Sequence, residues 1–249
     1  MPFAPRFQNK TALVTGAASG IGRATAARLL EEGARVMAVD VQADALEQLA
    51  RDAGPHCATH LCDVSDPSAV RATVAATVER FGALHVLVNA AGILRTAHTH
   101  EETLEAWNRV IAINLTGTFL VCQAALPHLL KTRGTIVNLS STAALRAHAW
   151  TAAYSASKGG VLALTSMLAV EYGEQGLRAN AVCPGGITTP IHQAFRVPDG
   201  ADQKLVRRIM PLTGFAEPAE VAATIAFLAS DEAIHMTGSM LRVDAAMCT

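Results

Sequence analysis

Charge is scarce in this chain. Only 16% of its 249 residues are charged, and the net formal charge is −1. Such a balance offers no electrostatic footprint for nucleic acid or for a polybasic membrane surface, so neither partner is expected. Apolar residues make up 51%, and so few surface charges fit a large buried interface between subunits. The most apolar stretch, residues 161–170, is interrupted by Thr165 and Ser166 and is far shorter than the roughly 20 residues of a spanning helix. Residues 1–10 hold no apolar run of signal-peptide length. Zinc-type spacing is missing from the five cysteines, Cys57, Cys62, Cys122, Cys183 and Cys248. They read as free thiols in a reducing compartment, with no metal site and a cytoplasmic location expected. Repeats, low-complexity blocks and linkers are also missing. The length then suits one large α/β domain over residues 1–249.

What the chain has is alternation. Apolar strand-like segments at 11–15, 34–39, 56–62, 84–88, 135–139, 177–183 and 240–243 take turns with helical patterns. The helical patterns cover 21–32, 41–53, a stretch after Asp66-Pro67 to about 81, 104–131, 152–172 and 218–230. Pro127 lies inside the fourth of these and predicts a kink there. The pattern predicts a mostly parallel, doubly wound sheet with helices on both faces. In such sheets ligands sit at the carboxyl ends of the strands. Gly16, Asp40, Asn89 and Ser141 all fall at strand ends.

The first strand runs into Thr15-Gly16-Ala17-Ala18-Ser19-Gly20-Ile21-Gly22 and then a helix. Glycine serves a tight turn, close approach of backbone to a pyrophosphate, and close helix–strand packing. The helix N-terminus presents free N–H groups to the phosphates. Glycines in a βα turn also have a purely structural use; the strand–turn–helix context favours the nucleotide. Asp40 ends the second strand, where a carboxylate can accept hydrogen bonds from both adenosine ribose hydroxyls and would repel a 2′-phosphate. No Arg or Lys occurs in 16–22 or directly after Asp40, and Arg23 lies inside the helix. NAD is therefore expected rather than NADP. A helix-capping role is the alternative for Asp40. Asp63-Val64 follows the third strand, where a carboxylate can meet the adenine amino group. Asn89, Ala90 and Gly92 follow the fourth, where small residues let backbone pass close to the cofactor. Both sites also have ordinary turn readings.

Tyr154 and Lys158 stand at i, i+4, on one face of a helix. A phenol titrates near 10, too high for a base at neutral pH, and a nearby ammonium favours the phenolate. Ser141, thirteen residues before the tyrosine, supplies a hydroxyl for an oxygen whose charge changes. The trio reads as a proton-transfer site for an alcohol or ketone. Taken alone, the Tyr–Lys pair also fits a solvated helix face.

Together these residues resemble the short-chain dehydrogenase/reductase family along nearly the whole chain. The matches are the glycine motif 15–22, Asp63-Val64, the 89–92 segment, Asn114, Ser141, Tyr154-x-x-x-Lys158, Asn180 and Pro184-Gly185. The resemblance implies a single Rossmann-like domain of about seven parallel strands and a homotetramer. It implies that Tyr154 is the general acid/base and that Lys158 lowers its pKa and holds the nicotinamide ribose. Ser141 would polarise the substrate oxygen, and Asn114 would hold a water linking Lys158 to solvent. Pro184, Gly185, Ile187 and Thr189 would pack on the nicotinamide. Two departures stand out. Ala245-Ala246 replaces a glycine pair, and alanine disfavours positive φ, so a different C-terminal turn is expected. His235-Met236 also differs from the usual pair.

The segment 188–214 would form a substrate lid. It offers Ile191, Phe195, Val197, Leu205, Ile209 and Met210, with His192, Arg196, Lys204, Arg207 and Arg208 beside them. The basic residues either meet a carboxylate or are solvated, and the solvated reading is preferred. Leu94, Arg95, Ala143, Leu145, Arg146, His148 and Trp150 are expected near the pocket, with His148 and Trp150 suited to a ring or polyol. The leading function is an NAD-dependent dehydrogenase of a small-molecule secondary alcohol or ketone. A 3-oxoacyl-thioester reductase and a non-catalytic NAD-binding sensor or scaffold are the alternatives.

Overall fold

Seven short strands set the frame. In the computed structural model, which describes residues 5–249, they are β1 Thr11–Thr15, β2 Arg35–Asp40, β3 Cys57–Leu61, β4 Val86–Asn89, β5 Thr135–Leu139, β6 Arg178–Pro184 and β7 Met240–Val243. All pair in parallel, in the order β3-β2-β1-β4-β5-β6-β7. Residues 1–4, part of the segment screened for a leader, lie outside the described residues. Parallel neighbours need crossovers, and helices supply them. These are α1 Gly20–Glu31, α2 Ala43–Ala53, α3 Pro67–Phe81, α4 Leu104–Ile111, α5 Thr118–Thr132, α6 Ala152–Tyr172, α7 Pro190–Gln193 and α8 Pro218–Ala229.

The sheet is covered on both faces. Ala26 and Leu29 of α1, Leu46 and Leu49 of α2, and Val221 and Ile225 of α8 pack on one face. Val70 and Val74 of α3, Val121 and Leu129 of α5, and Leu168 of α6 pack on the other. Every residue of β1 and β5 is buried as a result, which explains the apolar centres Ala12-Leu13-Val14 and Ile136-Val137. Strand order reverses between β1 and β4, so a crevice opens at their carboxyl ends.

Element boundaries fall within about two residues of the sequence expectation, the usual scatter of frayed ends. Three expectations are corrected. The long helix does not break at Pro127. It continues through that residue as α5, and a π-turn lies upstream at Ala112–Gly117. Such turns are single insertions that favour functional sites, and Asn114 lies inside this one. The combined stretch Leu104–Thr132 is also apolar and long enough to cross a membrane by composition alone, which the search for apolar runs overlooked. Here it packs on α3 and α6. Finally, Ala245 and Ala246 do adopt positive φ, at 45° and 62°. Their turn is pinned from outside, with Leu212 N–H donating to Ala245 O at 2.9 Å.

Two glycines fix the turn between β1 and α1. Gly16 has φ +69°, and a Cβ there would lie 2.8 Å from the backbone of Ala90. A Cβ on Gly22 would lie 2.1 Å from Gly16 O. Backbone cannot step aside as a flexible side chain can. We predict that Gly22→Ala lowers stability by about 2 kcal/mol or more, the scale of core overpacking, with weaker dinucleotide binding. A denaturation midpoint equal to the wild type would contradict this.

Candidate active site

A cavity of about 820 Å³ opens at the carboxyl ends of the strands. Every sequence-predicted site residue except Asn89 and Asn114 lines it. The lining includes Gly16, Ser19, Gly20, Ile21, Gly22, Asp40, Asp63 and Val64, with Ala90 and Gly92. It also includes Ser141, Tyr154, Lys158, Pro184, Gly185, Ile187 and Thr189.

Asp40 is held by three backbone donors. Its Oδ2 accepts from Ala18 N at 3.1 Å, and its Oδ1 accepts from Val41 N at 2.7 Å and Gln42 N at 3.2 Å. The carboxylate thereby braces the glycine turn and retains acceptor capacity toward the cavity. Arg23 turns to Asp52, at 3.7 Å. Asp63 is partly a turn residue, because its Oδ1 accepts from Ser65 N and Oγ at 2.9 and 2.6 Å. Those Ser65 bonds hold its carboxyl below the usual range. Arg109 stands 3.5 Å from its other oxygen. At the helix N-terminus no acidic residue occupies the first turn of α1, which leaves the N–H groups and dipole available to an anion.

Lys158 is 5% exposed, and its Nζ donates to Leu139 O at 2.7 Å. Ser140 Oγ donates back to Lys158 O at 2.8 Å. The start of α6 is thus tied twice to the end of β5. Ser140 is consumed by that tie, whereas Ser141 interacts with the Tyr154 phenol. The two neighbouring serines thus have different partners. The electrostatics correct one expectation. Burial pushes the Tyr154 phenol up, against the lowering effect of Ser141. Burial pushes Lys158 down to about 8. The ammonium bonds a carbonyl and lies 5.8 Å from the Tyr154 ring centroid, so desolvation outweighs it. Cys183, 0% exposed, has its thiol pushed up by burial to about 11 and stays protonated.

Asn114 is fully buried and acts on the loop beneath the cavity. Its Oδ1 accepts from Ile93 N at 2.8 Å, and its Nδ2 donates to Ile93 O at 2.9 Å and Ser157 Oγ at 3.2 Å. Gly92 packs closely here, since a Cβ would lie 3.3 Å from Asn114 Oδ1 and 3.6 Å from Lys158 Nζ. Asn89 turns into the sheet instead, donating to Asn138 Oδ1 at 2.8 Å and Cys122 Sγ at 3.2 Å. It is a strut between β4 and β5 rather than a wall of the cavity.

The rest of the lining is mainly apolar. Leu94, Ile191, Phe195, Val197, Ile209 and Met210 belong to it as expected, and so do His148 and Arg196. Arg95, Ala143, Leu145, Arg146, Trp150, Leu205, Lys204, Arg207 and Arg208 do not. Arg95 pairs with Glu102 at 3.3 Å, and Trp150 is a buried residue at φ 64°. Burial and Arg146 push His148 down to about 4, so a neutral imidazole faces the cavity. Thr142, Thr151, Val206, Phe215 and Met247 were not foreseen. For the first two, nearness to Ser141 and Tyr154 was an available signal.

A family model described as Enoyl-(Acyl carrier protein) reductase matches residues 16–247. The chain is 42% identical to D-threitol dehydrogenase of Mycolicibacterium smegmatis over 96% of this chain and 93% of that one. It is 43% identical to 2-(R)-hydroxypropyl-CoM dehydrogenase of Xanthobacter autotrophicus, over 96% and 98%. The chain belongs to the short-chain dehydrogenase/reductase family. Its fold superposes on the 3-ketoacyl-(acyl-carrier-protein) reductase of Brucella melitensis, solved with NADH, with a TM-score of 0.90 at 31% identity over 97% and 99% of the two chains. Oxidoreductase chemistry between an alcohol and a ketone follows for this member of the family.

Proposed function

We propose that this protein is an NAD-dependent dehydrogenase of small secondary alcohols, with Tyr154 as general acid/base. The observation that carries the reading is the cavity that Tyr154, Ser141 and Lys158 line together with a glycine turn and Asp40. The cofactor fits the residues present: the first turn of α1 carries no acidic residue and leaves its N–H groups to an anion, and Asp40 lines the cavity with no cation of the described residues bonded to it. When bound, the nicotinamide supplies or accepts the hydride.

The chain's own groups do the rest. In oxidation the phenolate of Tyr154 takes the hydroxyl proton; in reduction the phenol gives one to the forming alkoxide. The Ser141 hydroxyl donates to the same oxygen and stabilises its charge in the transition state. Lys158 holds the nicotinamide ribose and a positive field beside Tyr154. Asn114 keeps the 92–93 loop in place and connects Lys158 to water. Asp40 takes the adenosine ribose hydroxyls, Asp63 and Val64 flank the adenine, and Pro184, Gly185, Ile187 and Thr189 pack the nicotinamide. Residues 188–214 act as the lid. A cytoplasmic homotetramer suits the apolar side chains exposed on α5 and α6, Phe119, Met167 and Val170.

One finding favours keeping a second reading, reduction of a 3-oxoacyl thioester. The superposable Brucella melitensis enzyme carries that title and was solved with NADH, so an acidic residue at the end of β2 does not by itself separate the two. A panel of secondary alcohols, ketones and a 3-oxoacyl thioester separates them.

Three outcomes are expected. Tyr154→Phe should retain NADH binding by fluorescence titration yet lose about 10²-fold or more of turnover, the scale of general acid–base catalysis; an active variant would sink the mechanism. NADH should bind more tightly than NADPH, and the reverse order would overturn the role of Asp40. Because the phenol is pushed up, the base form grows as pH rises. Oxidation measured as kcat/KM should therefore climb by about tenfold per pH unit at first. It should level off as Lys158 loses charge above about 8. A rate that falls across pH 6–8 would contradict the assignment.

A further inference from the structure

The chain's last turn holds two consecutive alanines in the left-handed region, Ala245 at φ 45° and Ala246 at φ 62°. Strain of this kind persists only where the surroundings over-determine it. Here three distant segments do so. Leu212, at the far end of the lid, donates its N–H to Ala245 O at 2.9 Å. Arg146, in the loop after β5, donates to Met247 O and to Thr249 O, the latter at 3.3 Å. Gly186, after β6, donates its N–H to Met247 Sδ at 3.2 Å. Within the turn, Met247 N bonds Asp244 O at 3.0 Å and Cys248 N bonds Asp244 Oδ2 at 3.1 Å.

What the turn delivers is the Met247 side chain. It is 5% exposed and lines the cavity with Ser141, Tyr154 and Phe215. The fit is close. A Cβ on Gly185 would lie 2.5 Å from Met247 Sδ, and one on Gly186 would lie 2.7 Å from Phe215 Cδ1. Methionine is unbranched and adaptable, so its placement depends on the backbone that carries it. Alanine has fewer accessible conformations than glycine, and a pinned alanine pair therefore holds the thioether in one place.

We propose that Met247 is a specificity-determining residue: seated by the strained turn, its thioether walls the substrate pocket beside Gly185 and Gly186 and limits the width of the alcohol that reaches Tyr154. The Leu212–Ala245 bond latches the lid to the same turn. The specificity claim rests on the dehydrogenase reading above; the latch does not.

Two variants test it, using 2-butanol and 4-tert-butylcyclohexanol as probes. Met247→Ala should raise the kcat/KM ratio of the wide alcohol over the narrow one by about tenfold or more, the worth of pocket space of this size, while NADH binding is retained. The double variant Ala245→Gly, Ala246→Gly keeps the thioether and frees the turn. Its thermal midpoint should not fall, because left-handed strain is relieved. Its KM for both alcohols should rise several-fold with kcat little changed, and trypsin should cut faster after Lys204, Arg207 and Arg208 in the lid. An unchanged ratio in Met247→Ala overturns the specificity claim. Unchanged lid cleavage in the glycine variant overturns the latch. A wild-type enzyme inactive on both alcohols removes the dehydrogenase reading and the specificity claim together, and lid cleavage still decides the latch.

Discussion

The ammonium of Lys158 on the carbonyl of Leu139, 2.7 Å apart and shut away from water, is the contact on which the site depends. A buried charge without partners is expensive, so the end of β5 and the start of α6 hold one fixed relation. Ser140 closes the tie from the other side. Tyr154 stands one helical turn earlier and inherits that position. The loop after β4 packs near the same groups, since a Cβ on Gly92 would touch both Lys158 Nζ and Asn114 Oδ1. The π-turn at Ala112–Gly117 then places Asn114 where it can bond both backbone groups of Ile93.

Much of this was legible in the sequence because it is written in periodicity and glycine. Buried-on-both-faces strands read as continuous apolar runs, and Gly16 and Gly22 mark places where a side chain would strike backbone. What failed has a common cause, the balance between local preference and tertiary restraint. Pro127 disfavours a helix interior, yet the packing of α5 carries the helix through it. Ala245 and Ala246 disfavour positive φ, yet bonds from remote segments impose it. Spacing put Asn89 at a strand end but was silent on which way the side chain turned. Charge arithmetic put an ammonium beside a phenol, whereas desolvation, invisible in a sequence, moves both groups toward their neutral forms.

The cavity is built from two kinds of element. Ser141 follows β5, and Tyr154 and Lys158 stand on α6, whereas much of the remaining wall comes from 188–214, the loop after β5 and the C-terminal turn, segments with weak periodicity. D-threitol dehydrogenase and 2-(R)-hydroxypropyl-CoM dehydrogenase stand at nearly equal identity to this chain, 42% and 43%, although their names specify unlike alcohols. In this chain the walls are mainly apolar, with the neutral imidazole of His148 as one of a few polar groups.

The central claim is that a hydride leaves the carbinol carbon for the nicotinamide while Tyr154 takes the proton. Isotope transfer tests it most directly. The enzyme would be incubated with NAD and cyclohexanol deuterated at the carbinol carbon, and the reduced cofactor examined by mass spectrometry. The account predicts one deuterium on the nicotinamide for each ketone formed. Ketone accompanied by unlabelled NADH would contradict it.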